Sequence, residues 1–274
     1  MYICFKDGKR KVMTLSYDDG VVQDIRLSEI MKKHGLKGTF NVNSGLFLED
    51  DSKRETYFGR MTVEEAKKLY INSGNEVAVH GYLHKSLGRI TAPEATYDVH
   101  KDRECLEKIF GYPMRGMAYA YGTYNEEIIN VLESCGIVYS RTTKSTHGFT
   151  LPANWHELHP TCHHNDPELM NLLEDFLAAE PYPARAMMFY LWGHSYEFDN
   201  NDNWNVIEDF AERAGGNDDV WYATNIEIYD YVNAYKSLIS TVDESIIYNP
   251  TAIDVWVLDG DKKVCIKAGE SYRK

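Results

Sequence analysis

The sequence lacks long apolar runs, has few cysteines and has fewer basic than acidic residues. No apolar run approaches the ~20 residues that a transmembrane helix needs, so the sequence predicts no membrane span. The five cysteines are an odd number and form no CxxC pair, which indicates reduced thiols rather than a disulfide framework. The 29 basic residues stand against 42 acidic ones, and the formal charge of −13 disfavours binding to a nucleic acid or an anionic membrane.

The N-terminal segment carries no apolar stretch of the kind found in secretory signals. Its first twenty residues, MYICFKDGKRKVMTLSYDDG, are rich in charge and contain no small-residue cleavage site. We therefore expect a cytoplasmic protein, unless a leader precedes this chain. The length and the 43% hydrophobic content are sufficient for a sizeable core, and no repeat or flexible linker divides the 274 residues.

Short apolar runs alternate with amphipathic stretches along most of the chain. This alternation predicts a mostly parallel sheet with helices outside it, either open or closed into a barrel. The tail instead predicts short antiparallel strands, so we expect a main domain over residues 1–241 and a β appendage over 242–274. The predicted strands are 11–17, 39–42, 76–79, 117–119, 138–142, 158–161, 186–192, 220–223, 245–248, 253–258 and 264–267. The predicted helices are 22–34, 62–73, 91–110, 126–134, 167–179, 206–213 and 226–239.

Two adjacent carboxylates end the first predicted strand of the sheet, in the run TLSYDDG of residues 14–20. Binding sites of parallel α/β folds form at the carboxyl ends of strands. Adjacent strand residues point to opposite faces, so Asp18 and Asp19 need a bend at Gly20 to converge. One could then bind a metal while the other moves a proton; the alternative is a helix N-cap followed by a turn.

The run HGYLH follows the third predicted strand of the sheet. If the residues between them form a helical turn, His80 and His84 lie on one face and can bind one metal. With Asp18 or Asp19 they would form a two-histidine, one-aspartate set, which suits zinc, cobalt, nickel or ferrous iron. The alternative is two ordinary histidines.

Three further segments carry candidate catalytic groups. Gly122 permits a tight turn in which the backbone N–H of Tyr121 could serve as an oxyanion donor, although this is also an ordinary strand-to-helix loop. His194 ends the apolar strand MMFYLW and is well placed for acid–base chemistry, or is a hydrogen-bonded histidine at a strand end. His163 belongs to a histidine-rich loop near Trp155 and could line the same site.

Taken together, these segments resemble the polysaccharide deacetylases, carbohydrate esterase family four. TLSYDDG resembles the family's TFDDG motif, HGYLH its H-x-x-x-H motif, and AYAYG its third motif, in which Ala120 replaces the usual proline. The segments around Trp155 and LWGH resemble the fourth and fifth motifs. The resemblance spans about residues 11–235 and implies a distorted (β/α) barrel of about seven parallel strands.

The resemblance also implies a role for each matching residue. Asp19, His80 and His84 would bind a divalent metal, with zinc the first choice and cobalt, nickel or iron as alternatives. Asp18 would be the catalytic base, His194 the general acid and Tyr121 the oxyanion donor. The metal would polarise the amide carbonyl and acidify water. The remaining candidates would contact the substrate or steady the base: Tyr17, Arg115, Trp155 and His163.

These expectations lead to a main hypothesis and two alternatives. The main hypothesis is a metal-dependent hydrolase that removes N-acetyl groups from an amino sugar or its oligomer. The first alternative is an amidohydrolase of the same fold that acts on a small non-sugar amide. The second is a carbohydrate-binding protein without activity, in which some of the 20 tyrosines and 5 tryptophans stack on sugar rings. We expect no nucleic-acid or membrane partner; the sequence is compatible with a monomer or an oligomer.

Overall fold

The computed structural model describes residues 1–52, 59–182 and 185–274, and parallel strands alternate with helices through most of them. The strands are β1 (Tyr2–Cys4), β2 (Lys11–Asp18), β3 (Gly38–Val42), β4 (Glu76–Val79), β5 (Gly116–Ala118), β6 (Tyr139–Arg141), β7 (Cys162–His163), β8 (Met187–Gly193), β9 (Val220–Tyr222), β10 (Ile239–Ser240), β11 (Ile246–Tyr248), β12 (Val255–Asp259), β13 (Lys262–Ile266) and β14 (Ser271–Arg273). The helices are α1 (Asp24–Lys33), α2 (Val63–Tyr70), α3 (Ala92–Phe110), α4 (Glu126–Ser134), α5 (Leu169–Ala178), α6 (Tyr196–Asn200), α7 (Asn205–Ala214) and α8 (Asn225–Lys236).

The main sheet is parallel, and its strands follow the order β6-β5-β4-β3-β2-β8-β7. Along one edge of β2, residues 11–17 pair with β8; along the other edge, β2 pairs first with β9 and then with β3. The segment 158–163 contacts β6 through a bridge at Leu158 and contacts β8 through β7. The sheet therefore curls into a distorted (β/α) barrel, which confirms the predicted fold class.

The central strand β2 determines which side chains reach the barrel interior. All eight of its residues are buried, as expected for a parallel strand with both faces covered. Successive side chains point to opposite faces, so Leu15 and Tyr17 join the hydrophobic core beneath the helices. Ser16 and Asp18 face the interior, where Asn41 of β3 donates hydrogen bonds to both side chains. The strand thus delivers one carboxylate to the interior at its carboxyl end.

Local sequence signals account for the helix ends near the site. Thr62 and Glu65 form the predicted capping box at the start of α2, because each side chain accepts a hydrogen bond from the other residue's backbone N–H. Thr91 and Glu94 form a second capping box before α3, with Pro93 in the first turn as predicted. Among the described residues, no helix is both long and apolar enough to cross a bilayer.

Small antiparallel sheets accompany the barrel, as the sequence predicts for the tail. Strands β12 and β13 form a hairpin, and Gly260 takes a positive φ of 59° in its turn. The N-terminal strand β1 pairs with β12. This strand was not predicted from the sequence, and it is only three residues long. Strands β10, β11 and β14 form the second small sheet.

Two predicted elements were wrong in position. Residues 158–161 do not form a strand; Leu158 makes an isolated bridge and the strand β7 begins at Cys162. Pro160 lies between them and has no N–H to donate to a ladder. The helix predicted to reach residue 239 ends at Lys236, and Ile239 pairs with Tyr248 instead.

Candidate active site

The side chains of Asp18 and Asp19 reach the same site at the end of β2 because the chain turns at Asp19. Asp19 takes a left-handed conformation with φ of 87°, which is uncommon for a residue other than glycine. Its N–H still donates to the Asn41 carbonyl at 2.9 Å, so the turn starts where the ladder ends. The sequence predicted the bend at Gly20, whereas in the structure it begins one residue earlier, at Asp19. It brings the Asp19 side chain to the same edge as the loop after β4.

The histidines of the HGYLH run meet through a loop and not through the helical turn that the sequence predicted. Gly81 and His84 both take positive φ, of 83° and 54°. A Cβ on Gly81 would lie 2.6 Å from the buried Asp98 carboxylate, so a side chain at Gly81 is excluded. This compact turn sets the rings of His80 and His84 at 4.8 Å between centroids.

Asp19, His80 and His84 offer three ligand atoms that lie within 4.8 Å of one another. The Ala118 carbonyl lies 2.8 Å from His80 Nδ1 and can only accept, so Nδ1 carries the proton and the lone pair is on Nε2. His84 Nε2 lies 3.5 Å from Asp19 Oδ1. The donors of the two-histidine, one-aspartate set are thus turned towards a common point.

The protonation states of these three residues also suit a divalent cation. Burial lowers the pKa of His80, and burial together with the neighbouring His80 lowers the pKa of His84 to about 4, so both rings are neutral near pH 7. Burial alone would raise the pKa of Asp19, but Arg60 and the histidines outweigh it and the pKa is lowered. Two neutral imidazoles and one carboxylate are a donor set that zinc and related metals prefer. The residues present therefore fit the metal that the resemblance implies.

Asp18 forms a buried ion pair with Arg141, which the sequence analysis did not single out. The Arg141 guanidinium contacts Asp18 Oδ2, while Asn41 donates to Oδ1 at 2.8 Å. Burial alone would raise the pKa of Asp18, but Arg141, His80 and His194 lower it to about 2. The carboxylate is therefore ionised at every physiological pH. Arg141 comes from β6, where it lies opposite Ala118 of β5 in the ladder.

Arg115, predicted to steady the base, lies at the other end of β5. Its guanidinium donates two hydrogen bonds of 2.9 Å to the Asp230 carboxylate, and its side chain is 36% exposed. Arg115 precedes β5, whereas the site gathers at the carboxyl ends of the strands. The prediction for Arg115 was wrong because the arginine at the Asp18 carboxylate comes from the next strand.

His194 lies at the end of β8 and faces Asp18. Its Nε2 lies 3.9 Å from Asp18 Oδ2, and its Nδ1 lies 3.1 Å from Glu197 Oε1. Burial alone would lower the pKa of His194, but the hydrogen bond to Glu197 and the charges of Asp18 and Asp19 outweigh it, so the pKa is raised. Glu197 follows His194 by three residues, on the short helix α6. Glu197 was not predicted from the sequence, although its spacing from His194 could have indicated it.

A second group of donors, His163, His164 and Glu197, lies beside His194. His163 Nε2 and His164 Nε2 approach Glu197 Oε2 to 3.3 and 2.9 Å. The backbone N–H of Asn165 donates to His163 Nδ1 at 3.1 Å, so the ring proton of neutral His163 is on Nε2 and points to Glu197. This group is therefore better suited to holding the Glu197 carboxylate than a second metal. The substrate contact expected of His163 stays a prediction.

The loop of Tyr121 forms a tight turn although Ala120 stands in place of the usual proline. Tyr121 takes φ of 58°, and Gly122 closes the turn with its N–H on the Tyr119 carbonyl. The Tyr121 side chain is 68% exposed, and its ring stands edge-on to His84 at 4.6 Å. Within the described ranges, no protein group accepts the Tyr121 backbone N–H. This N–H thus stays available to a ligand beside the metal-ligand candidates.

Two predicted substrate contacts lie away from the site. Tyr17 is buried on the helix-facing side of β2, where it stacks on His164 at 5.8 Å between ring centroids. It follows the alternation of the strand and so faces away from Asp18. Trp155 is 8% exposed and packs edge-on against Tyr229 of α8, in a cluster that includes no metal-ligand candidate. Both side chains are part of the hydrophobic core.

A cavity of about 640 Å³ opens beside Asp19 and His84, in the range of small-molecule sites. Its walls combine apolar, aromatic and polar side chains. The other lining residues are Val21, Gln23, Leu46, Arg60, Leu83, Tyr121, Tyr196 and Asn200.

Comparison with known proteins agrees with this geometry. The family model described as polysaccharide deacetylase matches residues 5–140, which hold Asp18, Asp19, His80, His84 and Tyr121. The chain belongs to the polysaccharide deacetylase family. The match covers about half of the chain and ends before Arg141 and His194.

Individual relatives cover different shares of the chain. It is 27% identical over 124 residues to the peptidoglycan-N-acetylmuramic acid deacetylase PdaC of Bacillus subtilis, a match that spans 44% of this chain and 24% of that protein. A solved structure of a proposed polysaccharide deacetylase from Mycobacterium smegmatis has a TM-score of 0.60 at 20% identity, over 86% of this chain and 94% of that one. A family 4 carbohydrate esterase pseudoenzyme of Bacillus anthracis has a TM-score of 0.49 at 16% identity, over 83% and 67%. The Mycobacterium structure supports the fold.

Proposed function

We propose that this protein is a metal-dependent hydrolase that removes N-acetyl groups from an amino sugar or its oligomer. One observation carries the proposal: a donor set of two neutral histidines and one carboxylate lies beside an ionised aspartate and a histidine with raised pKa. Deacetylation needs these three components, namely a Lewis acid, a proton acceptor and a proton donor. The cavity beside them has space for a sugar unit.

Asp19, His80 and His84 would hold the divalent cation, with zinc as the first choice among zinc, cobalt, nickel and iron. When bound, the cation would polarise the acetyl carbonyl and lower the pKa of water. Asp18 would accept a proton from the attacking water, and Arg141 keeps this carboxylate ionised and in one orientation. The lowered pKa of Asp18 keeps the carboxylate ionised near pH 7, so that it is free to accept a proton.

His194 would donate a proton from Nε2 to the departing amine nitrogen. Glu197 supports this role because it accepts the Nδ1 proton and stabilises the imidazolium. The Tyr121 N–H would donate to the carbonyl oxygen as negative charge develops on it. In sum, water adds to the acetyl carbon, the C–N bond breaks, and acetate and a free amine leave.

The name of the curated relative suggests one substrate to test. PdaC is named a peptidoglycan-N-acetylmuramic acid deacetylase, and the match spans 24% of that protein's length. We therefore propose N-acetylated amino sugars as the substrate class and treat muramic acid as one candidate within it.

Acetate release from chelator-treated protein tests the proposal directly. Substrates would be oligomers of N-acetylglucosamine, muropeptides and small acetamides, each with and without added zinc. We expect zinc-dependent acetate release from at least one sugar, lost in Asp18→Asn and retained in Asp175→Asn, an exposed aspartate on α5. Turnover of small acetamides alone would instead support an amidohydrolase. Glycan binding without turnover would support a binding protein.

A further inference from the structure

Arg60 and Asn43 lie between the two loops that carry the metal-ligand candidates. Arg60 Nη2 pairs with Asp19 Oδ1 at 2.8 Å, and Arg60 Nη1 contacts the Asp19 carbonyl. The same Nη1 donates to Asn43 Oδ1 at 2.9 Å. Asn43 Nδ2 in turn donates to the carbonyls of His80 and Gly81, at 2.8 and 2.7 Å. One continuous chain of hydrogen bonds therefore connects Asp19 to His80.

At one end of this series of hydrogen bonds, Asp19 itself has a strained backbone conformation. A residue other than glycine with φ of 87° costs free energy and persists only where its surroundings fix it. The Arg60 guanidinium donates hydrogen bonds to both the carbonyl and the carboxylate of Asp19. A backbone bridge between Arg60 and Val21 holds Arg60 beside the turn. The guanidinium offers several donors in a rigid fork, which a lysine cannot reproduce.

At the other end, towards His80, the Asn43 side chain is buried and both its nitrogen and its oxygen have hydrogen-bond partners. Asn43 is 1% exposed, and its Nδ2 group donates to the carbonyls of two successive residues, His80 and Gly81. Asp102 holds the same loop from the other side, by accepting the His80 N–H at 3.0 Å. The backbone that carries His80 is therefore fixed relative to the backbone that carries Asp19.

We propose that Arg60 and Asn43 form a positioning bridge that holds the ligand atoms of Asp19 and His80 at the separation a metal requires. This inference rests on the metal site of the proposed function. Residues that orient metal ligands typically contribute tenfold to hundredfold to metal affinity. Arg60 is a positioning residue here, because it would affect metal binding by orienting the Asp19 carboxylate.

A different role for Arg60 predicts the opposite change in affinity. If the main effect of Arg60 were that its positive charge competes with a cation for the Asp19 carboxylate, removing the charge would strengthen metal binding. Asn43 carries no charge, which separates the two roles. Arg60 also lines the cavity, so a role in substrate binding would change KM without changing metal affinity in the substrate-free protein.

The test measures zinc affinity of the full chain without substrate, by competition with a chromophoric chelator. Variants are Asn43→Ala, Arg60→Lys and Arg60→Met, with Arg213→Lys, an arginine of the exposed pair with Glu174, as the matched control. Thermal unfolding of each variant without metal checks that it is folded. Arg60→Lys keeps the charge and is the variant to rely on if Asn43→Ala does not fold.

We expect Asn43→Ala, Arg60→Lys and Arg60→Met each to weaken zinc binding at least tenfold, with the control unchanged. Tighter binding in Arg60→Met, or wild-type affinity in Asn43→Ala and Arg60→Lys, would overturn the positioning bridge while leaving the proposed function intact. A wild-type protein that binds no zinc, cobalt, nickel or iron would overturn the bridge and the metal dependence of the proposed function together.

Discussion

Arg141 and Asp18 form an ion pair that crosses the barrel interior, since β5, β4 and β3 lie between their strands in the sheet. Both side chains are almost completely buried. The pair therefore combines two functions. It keeps the candidate base ionised, and it joins the carboxyl end of β6 to that of β2 at the point where the site forms.

Replacing Arg141 by Met should destabilise the protein strongly. Removing one member of a buried pair leaves an uncompensated charge and typically costs about 3–5 kcal/mol of unfolding free energy. Arg115→Met is the matched control, because its pair with Asp230 is about one third exposed and such pairs contribute about 0–1 kcal/mol. Urea unfolding at pH 7 compares the two variants. Equal losses in both would contradict the importance assigned to Arg141.

The same pair predicts how stability depends on pH. The pKa of Asp18 is depressed to about 2 in the folded protein, so its contribution is present above the unfolded pKa of ~3.9 and is lost as pH falls through 2. The shift corresponds to about 2–3 kcal/mol. In Arg141→Met the buried carboxylate should favour protonation instead. The difference in unfolding free energy between wild type and variant should therefore shrink from pH 5 to pH 2, measured by urea titration at each pH.

Glu197→Gln should move the alkaline limb of the rate profile to lower pH. The pKa of His194 is raised partly by Glu197, and the proposed acid is active only while protonated. Activity therefore falls as pH rises through the pKa of His194, and removing the Glu197 charge lowers that pKa. The measurement is kcat as a function of pH, with Glu208→Gln, an exposed partner of Arg26, as control. An unmoved limb would show that Glu197 does not tune the acid.

Gly122→Ala should reduce kcat by about 10²-fold if the Tyr121 N–H acts on the developing oxyanion. A Cβ on Gly122 would lie 2.2 Å from Thr143 Oγ1, and the residue has φ of 66°, so the turn that presents Tyr121 must distort. Gly148→Ala is the control, since its Cβ would meet no atom closer than 3.9 Å. Tyr121→Ala should keep kcat within a few-fold, because the proposed donor is backbone. A large loss in Tyr121→Ala with none in Gly122→Ala would place the function on the side chain.

The sequence predicted the parallel sheet and the loops of the candidate metal set, because the carboxyl ends of parallel strands gather at one edge. His80 and His84 could be placed there from the position of HGYLH after a strand, although the turn between them is not helical. Arg141 could not be assigned in this way, since its contact with Asp18 depends on how the sheet curls. The error at Tyr17 was avoidable, because strand alternation alone turns Tyr17 and Asp18 to opposite faces.

Metal content per chain, measured by elemental analysis of protein purified in the presence of zinc, tests the central claim most directly. Wild type should hold about one zinc, cobalt, nickel or iron ion, and His80→Ala should hold none. His163→Ala, which alters the neighbouring group around Glu197, should keep the metal. Metal retained in His80→Ala and lost in His163→Ala would contradict the assignment of Asp19, His80 and His84 as the metal site.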